Sequence, residues 1–127
     1  MGKNCKMTFL DTNILIEVFK GNSIIIGIVQ GLEPNTLALS AITEMELYYG
    51  ALNKLELQRI KKNLRLFDIY HPTTAISTTA TTLIEKHSKS HNLQIPDALI
   101  AATAMENGAE LMTLNTKDFQ YIDGLRL

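Results

Sequence analysis

Apolar and polar positions along the chain change period repeatedly, and the changes predict short strands alternating with helices. Lys6-Met7-Thr8-Phe9-Leu10 is a β-prone run that stops at Asp11, and Ile14–Phe19 reads as a short helix opened by Thr12 or Asn13 as cap. Ser23 is expected to cap a second helix through Leu32, and Glu33-Pro34-Asn35 is a turn signal. Leu37-Ala38-Leu39 suits a buried strand. From Ser40 a helix is expected, with Ile42, Met45, Tyr49 and Leu52 as its apolar stripe. Leu57, Ile60, Leu64 and Phe67 repeat that spacing in Lys54–Phe67, and Phe67–Tyr70 is a third strand candidate. Thr74–Asn92 carries Ile76, Ala80, Leu83, Ile84 and His87 at helical spacing. Pro96 suits the first turn of the helix running through Ala98, Leu99, Ala102 and Met105. Glu110–Leu114 is the fourth strand, and a last short one is expected near Leu125–Leu127.

This alternation predicts an α/β fold: a three-layer α/β/α sandwich with a short parallel sheet of four to five strands. With no repeat, linker or low-complexity run, residues 1–127 read as a single domain. The longest apolar runs, Ile24–Val29 and Ala98–Ala102, fall far short of the ~18–20 residues a membrane helix needs, so no membrane association and a cytoplasmic location are expected. Cys5 is the single cysteine, which excludes a disulfide scaffold. With 12 basic and 13 acidic residues, the chain is too neutral to coat nucleic acid non-specifically.

Chemistry is sought where open α/β sheets keep it, beyond the carboxyl ends of the strands. Four acids fall there or at helix starts: Asp11, Glu46, Asp97 and Asp118. Carboxylates gathered in one crevice repel each other, so either a cation joins them or some of their pKa values rise. An oxygen-only donor set suits Mg²⁺ or Mn²⁺, which activate water and clamp a phosphodiester. Each acid also has a structural reading. Asp11 can cap a helix, Thr43-Glu44-Met45-Glu46 fits a capping box, Asp97 favours a helix N-terminus, and Asp118 fits a first turn after Asn115. The case therefore rests on their joint placement.

Phe9-Leu10-Asp11-Thr12-Asn13-Ile14-Leu15-Ile16 resembles the opening motif of PIN-domain ribonucleases of the VapC toxin type. Ser40–Ala51 looks like their second motif, with the family acid on Glu46; Pro96–Ala104 and Leu114–Phe119 are similar to the third and fourth. Many relatives carry an acid where this chain has Asn115, so the resemblance leaves Asn115 and Asp118 both open as the last member. The resemblance implies a metal-dependent endoribonuclease toxin with an RNA substrate, a cognate antitoxin and a homodimeric state. Asp11, Glu46, Asp97 and Asp118 would hold Mg²⁺ or Mn²⁺ and carry catalysis, leaving a 5′-phosphate and a 3′-hydroxyl.

Thr12, Asn13, Thr43 and Asn115 are short polar groups able to orient those carboxylates. Arg59, Lys62 and Arg65 form a basic stripe that either tracks RNA phosphates or is a solvated helix face. His87 and His91 have metal-ligand spacing, but His87 continues an apolar stripe and packing is expected of it. Tyr49 is expected in the core. The rival function is a catalytically silent module of the same fold that binds RNA or the antitoxin.

Overall fold

The structure is a computed structural model that describes residues 7–127. Four short strands, β1 (Thr8–Leu10), β2 (Leu37–Ser40), β3 (Asp68–Tyr70) and β4 (Glu110–Met112), form one parallel sheet in the order β3-β2-β1-β4. Cys5 and Lys6 lie outside the described residues. The anticipated fifth strand is a single parallel bridge between Glu110 and Arg126. Six helices cover the sheet: α1 (Thr12–Phe19), α2 (Ser23–Gln30), α3 (Ala41–Tyr49), α4 (Lys54–Leu64), α5 (Thr74–His91) and α6 (Ile95–Glu106). Among the described residues no helix is long and apolar enough to cross a membrane.

The period-2 geometry of the strands divides the interior into two cores. Phe9, Ala38 and Leu111 face α5 and α6, packing with Ile76, Leu83, Ile100 and Phe119. Leu10, Leu37 and Leu39 face the other way, packing with Ile14, Leu15, Leu47, Ile60 and Leu64. This is the three-layer sandwich that the alternation predicts. On α6, Ala98, Ala101, Ala102 and Ala104 are fully buried. Their small side chains let the helix lie close against its neighbours.

Several local expectations are corrected. Asp11, not Thr12 or Asn13, caps α1: its Oδ1 accepts from the Thr12 amide at 2.8 Å. Asn22 caps α2 in place of Ser23, and Ser40 caps α3 by accepting from the Ile42 amide. Because α3 already begins at Ala41, Thr43 and Glu46 sit inside the helix and no capping box forms. Of the expected apolar stripe, Ile42 packs half-buried against the core, but Met45, Tyr49 and, beyond the helix end, Leu52 point outward, 55%, 94% and 85% exposed. The buried positions are instead Ala41, Thr43 and Leu47, so small and polar groups occupy the face toward α1 and α6. On α4 the stripe is as expected, with Ile60 and Leu64 buried and Arg59, Lys62 and Arg65 in solvent.

Candidate active site

In a parallel sheet every strand ends at the same edge, and the residues just past that edge form the site. The pairing Leu10↔Met112 sets Asp11 beside Thr113, and the Asp11 amide donates to the Met112 carbonyl at 2.9 Å. Asp11 is only 6% exposed. The Thr113 hydroxyl donates to its Oδ2 at 2.8 Å, so both carboxylate oxygens have donors. Thr113 also accepts from the Asn115 amide at 3.0 Å and the Asn13 side-chain amide at 3.4 Å. Asn13 Oδ1 in turn accepts from the Leu114 amide at 3.2 Å, tying the start of α1 to the segment after β4.

Glu46 is brought in by α3. Thr12 Oγ1 donates to Glu46 Oε1 at 2.6 Å, and Thr43 Oγ1 lies 3.3 Å from the same hydroxyl oxygen. Asp97 is in the first turn of α6, whose N-terminal end favours an anion. Asp118 belongs to a 3₁₀ turn, Thr116–Asp118, and lines a 170 Å³ pocket with Asp97, His91, Gln94 and Tyr121. Asn115 lines no part of that pocket.

The electrostatics tie the four acids together. Burial pushes the Asp97 carboxyl up to about 6, and repulsion from Asp11, then Glu46, then Asp118 adds to the shift. Burial also raises Asp11; the hydroxyl of Thr113 and the amide of Thr12 oppose that rise, and Asp118 adds to it. Among the described residues the one ion pair is Lys20–Glu17, so none of the four site acids is neutralised by a lysine or arginine. No three of these groups, among the described residues, stand as a closed metal cage. Asp97 and Asp118 line one pocket and Glu46 a separate opening, and it is repulsion at Asp97 that links Asp11 and Glu46 to them. All donors are oxygens, and a carboxyl raised to about 6 by burial and then by neighbouring acids is relieved by a hard divalent ion. The residues present therefore fit Mg²⁺ or Mn²⁺.

A second opening, a 460 Å³ groove, runs from Glu46 past Ile16, Phe19, Leu47, Ile60 and Arg59. Of the basic stripe, Arg59 alone lines it. Lys62 on α4 and Arg65 just past its end face solvent.

Sequence reasoning missed Thr113. The rule that singled out Asp11, first residue beyond a strand, applies equally to Thr113, but the expected strand ran to Leu114 and hid it.

The PIN domain family profile matches residues 8–125. Ribonuclease VapC10 of Mycobacterium tuberculosis is 27% identical over 124 residues, spanning 94% of this chain and 91% of that one. A toxin–antitoxin complex from Klebsiella pneumoniae superposes with a TM-score of 0.80 at 35% identity, covering 94% of this chain and 96% of that chain. VapBC2 from Rickettsia felis, bound to a DNA fragment from its promoter, superposes with a TM-score of 0.81 at 27% identity, covering 95% and 96%.

Proposed function

The chain belongs to the PIN domain family, and from that premise we propose that it is a divalent-metal-dependent endoribonuclease, the toxin of a toxin–antitoxin pair. The observation that carries the reading is the convergence at the sheet edge. Carboxylates from the end of β1, from α3, from α6 and from the turn after β4 repel one another, and that repulsion adds to the burial that lifts Asp97 to about 6. Asp11, Glu46 and Asp97 are the residues that would hold the ion, with Asp118 completing the set from its place beside Asp97. When bound, Mg²⁺ or Mn²⁺ supplies charge neutralisation at the scissile phosphate and acidifies a water.

The chain's own part is orientation. Thr113 and the Thr12 amide fix the plane of the Asp11 carboxylate. The Thr12 hydroxyl, with Thr43 behind it, holds Glu46. Asn13 and the Asn115 amide anchor the segment that carries Thr113. Arg59 is positioned to meet the RNA backbone beside Glu46, whereas Lys62 and Arg65 would act only on a longer strand. The apolar lining of the Glu46 groove suits side chains of the antitoxin, and a homodimer in the cytoplasm is the proposed setting.

Cleavage of single-stranded RNA with and without Mg²⁺ or Mn²⁺ tests the proposal, comparing wild type with Asp11→Asn and Asp97→Asn. Loss of one partner that merely orients a metal ligand costs about 10–100-fold, so losing a ligand is expected to cost more than about 100-fold. Both variants should stay folded, because Asn keeps the shape of Asp. Equal cleavage by all three proteins overturns the metal role and favours the silent RNA- or antitoxin-binding module.

A further inference from the structure

The 170 Å³ pocket beside Asp97 and Asp118 is lined on its outer side by His91, Asn92, Gln94 and Tyr121. These residues come from the last residue of α5, the turn between α5 and α6, and the C-terminal segment, and the carboxylate chemistry does not use them. Three aromatic rings meet there. The His91 ring stacks on Tyr121 with centroids 3.9 Å apart and planes 10° apart. His87 supports Tyr121 edge-on at 4.8 Å and lies 5.7 Å from His91. His91 is solvent-exposed while Tyr121 and His87 are half-buried, so the stack is anchored in the protein and ends at His91.

The polar groups around it are already oriented. Ser90 Oγ lies 2.8 Å from His91 Nδ1, leaving Nε2 as the free ring nitrogen. Asn92 takes the left-handed conformation, φ 56°, that ends α5. Gln94 Nε2 donates both to the Asn92 carbonyl at 3.1 Å and to Asn92 Oδ1 at 3.0 Å. Both amide hydrogens are thus engaged, and among the described residues Gln94 Oε1 has no donor and remains an unused acceptor. A flat exposed ring backed by a second ring, with a fixed acceptor nearby, is a stacking platform of the kind that holds unpaired bases.

We infer that His91, backed by Tyr121, is the platform on which the RNA base next to the cleaved phosphate stacks, with Gln94 Oε1 accepting from that base's edge. This rests on the ribonuclease reading, because the platform matters to cleavage only if the phosphate lies at Asp97 and Asp118. The bound base would hold the phosphate in register with the acids, making His91 and Gln94 substrate-binding residues that shape sequence preference.

The test measures binding and cleavage separately. The binding probe is an unstructured RNA of about ten nucleotides, within the span a single binding groove covers, compared in EDTA with its abasic counterpart. Stacking on an aromatic ring contributes enough per base that His91→Ala should weaken the base-bearing RNA roughly tenfold or more, while His91→Phe, which keeps a flat ring, retains most of the affinity. The abasic RNA should bind all three proteins alike. In Mg²⁺ the same His91→Ala change should appear mainly in KM, and Gln94→Ala should alter base preference beside the cut. The inference is overturned if His91→Ala weakens both RNAs equally or neither, or if His91→Phe is as weak as His91→Ala. Base-dependent binding through His91 without cleavage by wild type would keep the platform and overturn the ribonuclease reading. Normal cleavage by a His91→Ala protein that binds both RNAs like wild type would do the reverse.

Discussion

Asp97 illustrates how a single carboxyl reports its surroundings. Its native pKa of about 6 stands above the ordinary value of 3.8, chiefly through burial and then through three like charges. The unfolded chain releases this proton near 3.8 while the folded chain keeps it to about 6, so in that window the native state binds more protons. Stability therefore falls as pH rises from about 4 to about 6, the reverse of a salt-bridged aspartate. Raised Asp11 contributes in the same direction. Melting curves in EDTA across this range should show the decline. Asp97→Asn, which has no proton to lose, should flatten it and melt higher than wild type at neutral pH. A wild-type melting temperature that climbs over the same range would contradict the crowding of charge at this position. Thr113 shows the complementary lesson: a neutral hydroxyl, bonded to Asp11 Oδ2, does much to keep the buried acid in its ionised form.

At the level of elements, helix α6 couples packing to chemistry. Ala101 is fully buried one turn beyond Asp97, on the same face of the helix. Ala101→Val inserts volume where none is free and should cost about 1–3 kcal/mol in chemical denaturation. It should also reduce cleavage by moving Asp97. Tyr49→Ala, on a helix of similar length, should change stability by less than about 0.5 kcal/mol because the ring is 94% exposed. That contrast also marks what was legible beforehand. The strands and long helices α5 and α6 follow from period and from Pro96, and the position of Asp11 follows from the strand-end rule. The face of α3 was misread because its inward side carries Ala41, Thr43 and Leu47 rather than its largest apolar groups. Hydrophobic spacing alone assigns Met45, Tyr49 and Leu52 to the core, whereas the close approach of α1 and the hydroxyl pairing of Thr12 with Thr43 demand small and polar side chains there. Helix caps were displaced by one residue for a related reason: whether a side chain caps depends on backbone angles that composition does not carry, as at Asp11 and Asn22.

For the molecule as a whole, the proposed ion site would link folding to ion binding. Anything that binds the folded state alone stabilises it by mass action, by about 2.7 kcal/mol at a hundredfold excess over Kd. Raising Mg²⁺ or Mn²⁺ into the millimolar range should therefore raise the melting temperature, and Asp11→Asn should blunt the response. No shift for wild type would mean that the acids do not act together on a cation.

The C-terminal segment has a further consequence through its position beside β4. The Leu111 amide donates to the Arg126 carbonyl at 2.8 Å, and the Arg126 guanidinium bonds to the Gly108 carbonyl. This short stretch thereby occupies hydrogen-bonding groups on the outer rim of the sheet that would otherwise recruit a strand from another molecule. Arg126 serves as a gatekeeper, and its loss would surface first as sticking between chains during purification, with the carboxylates on the opposite ends of the strands still in order.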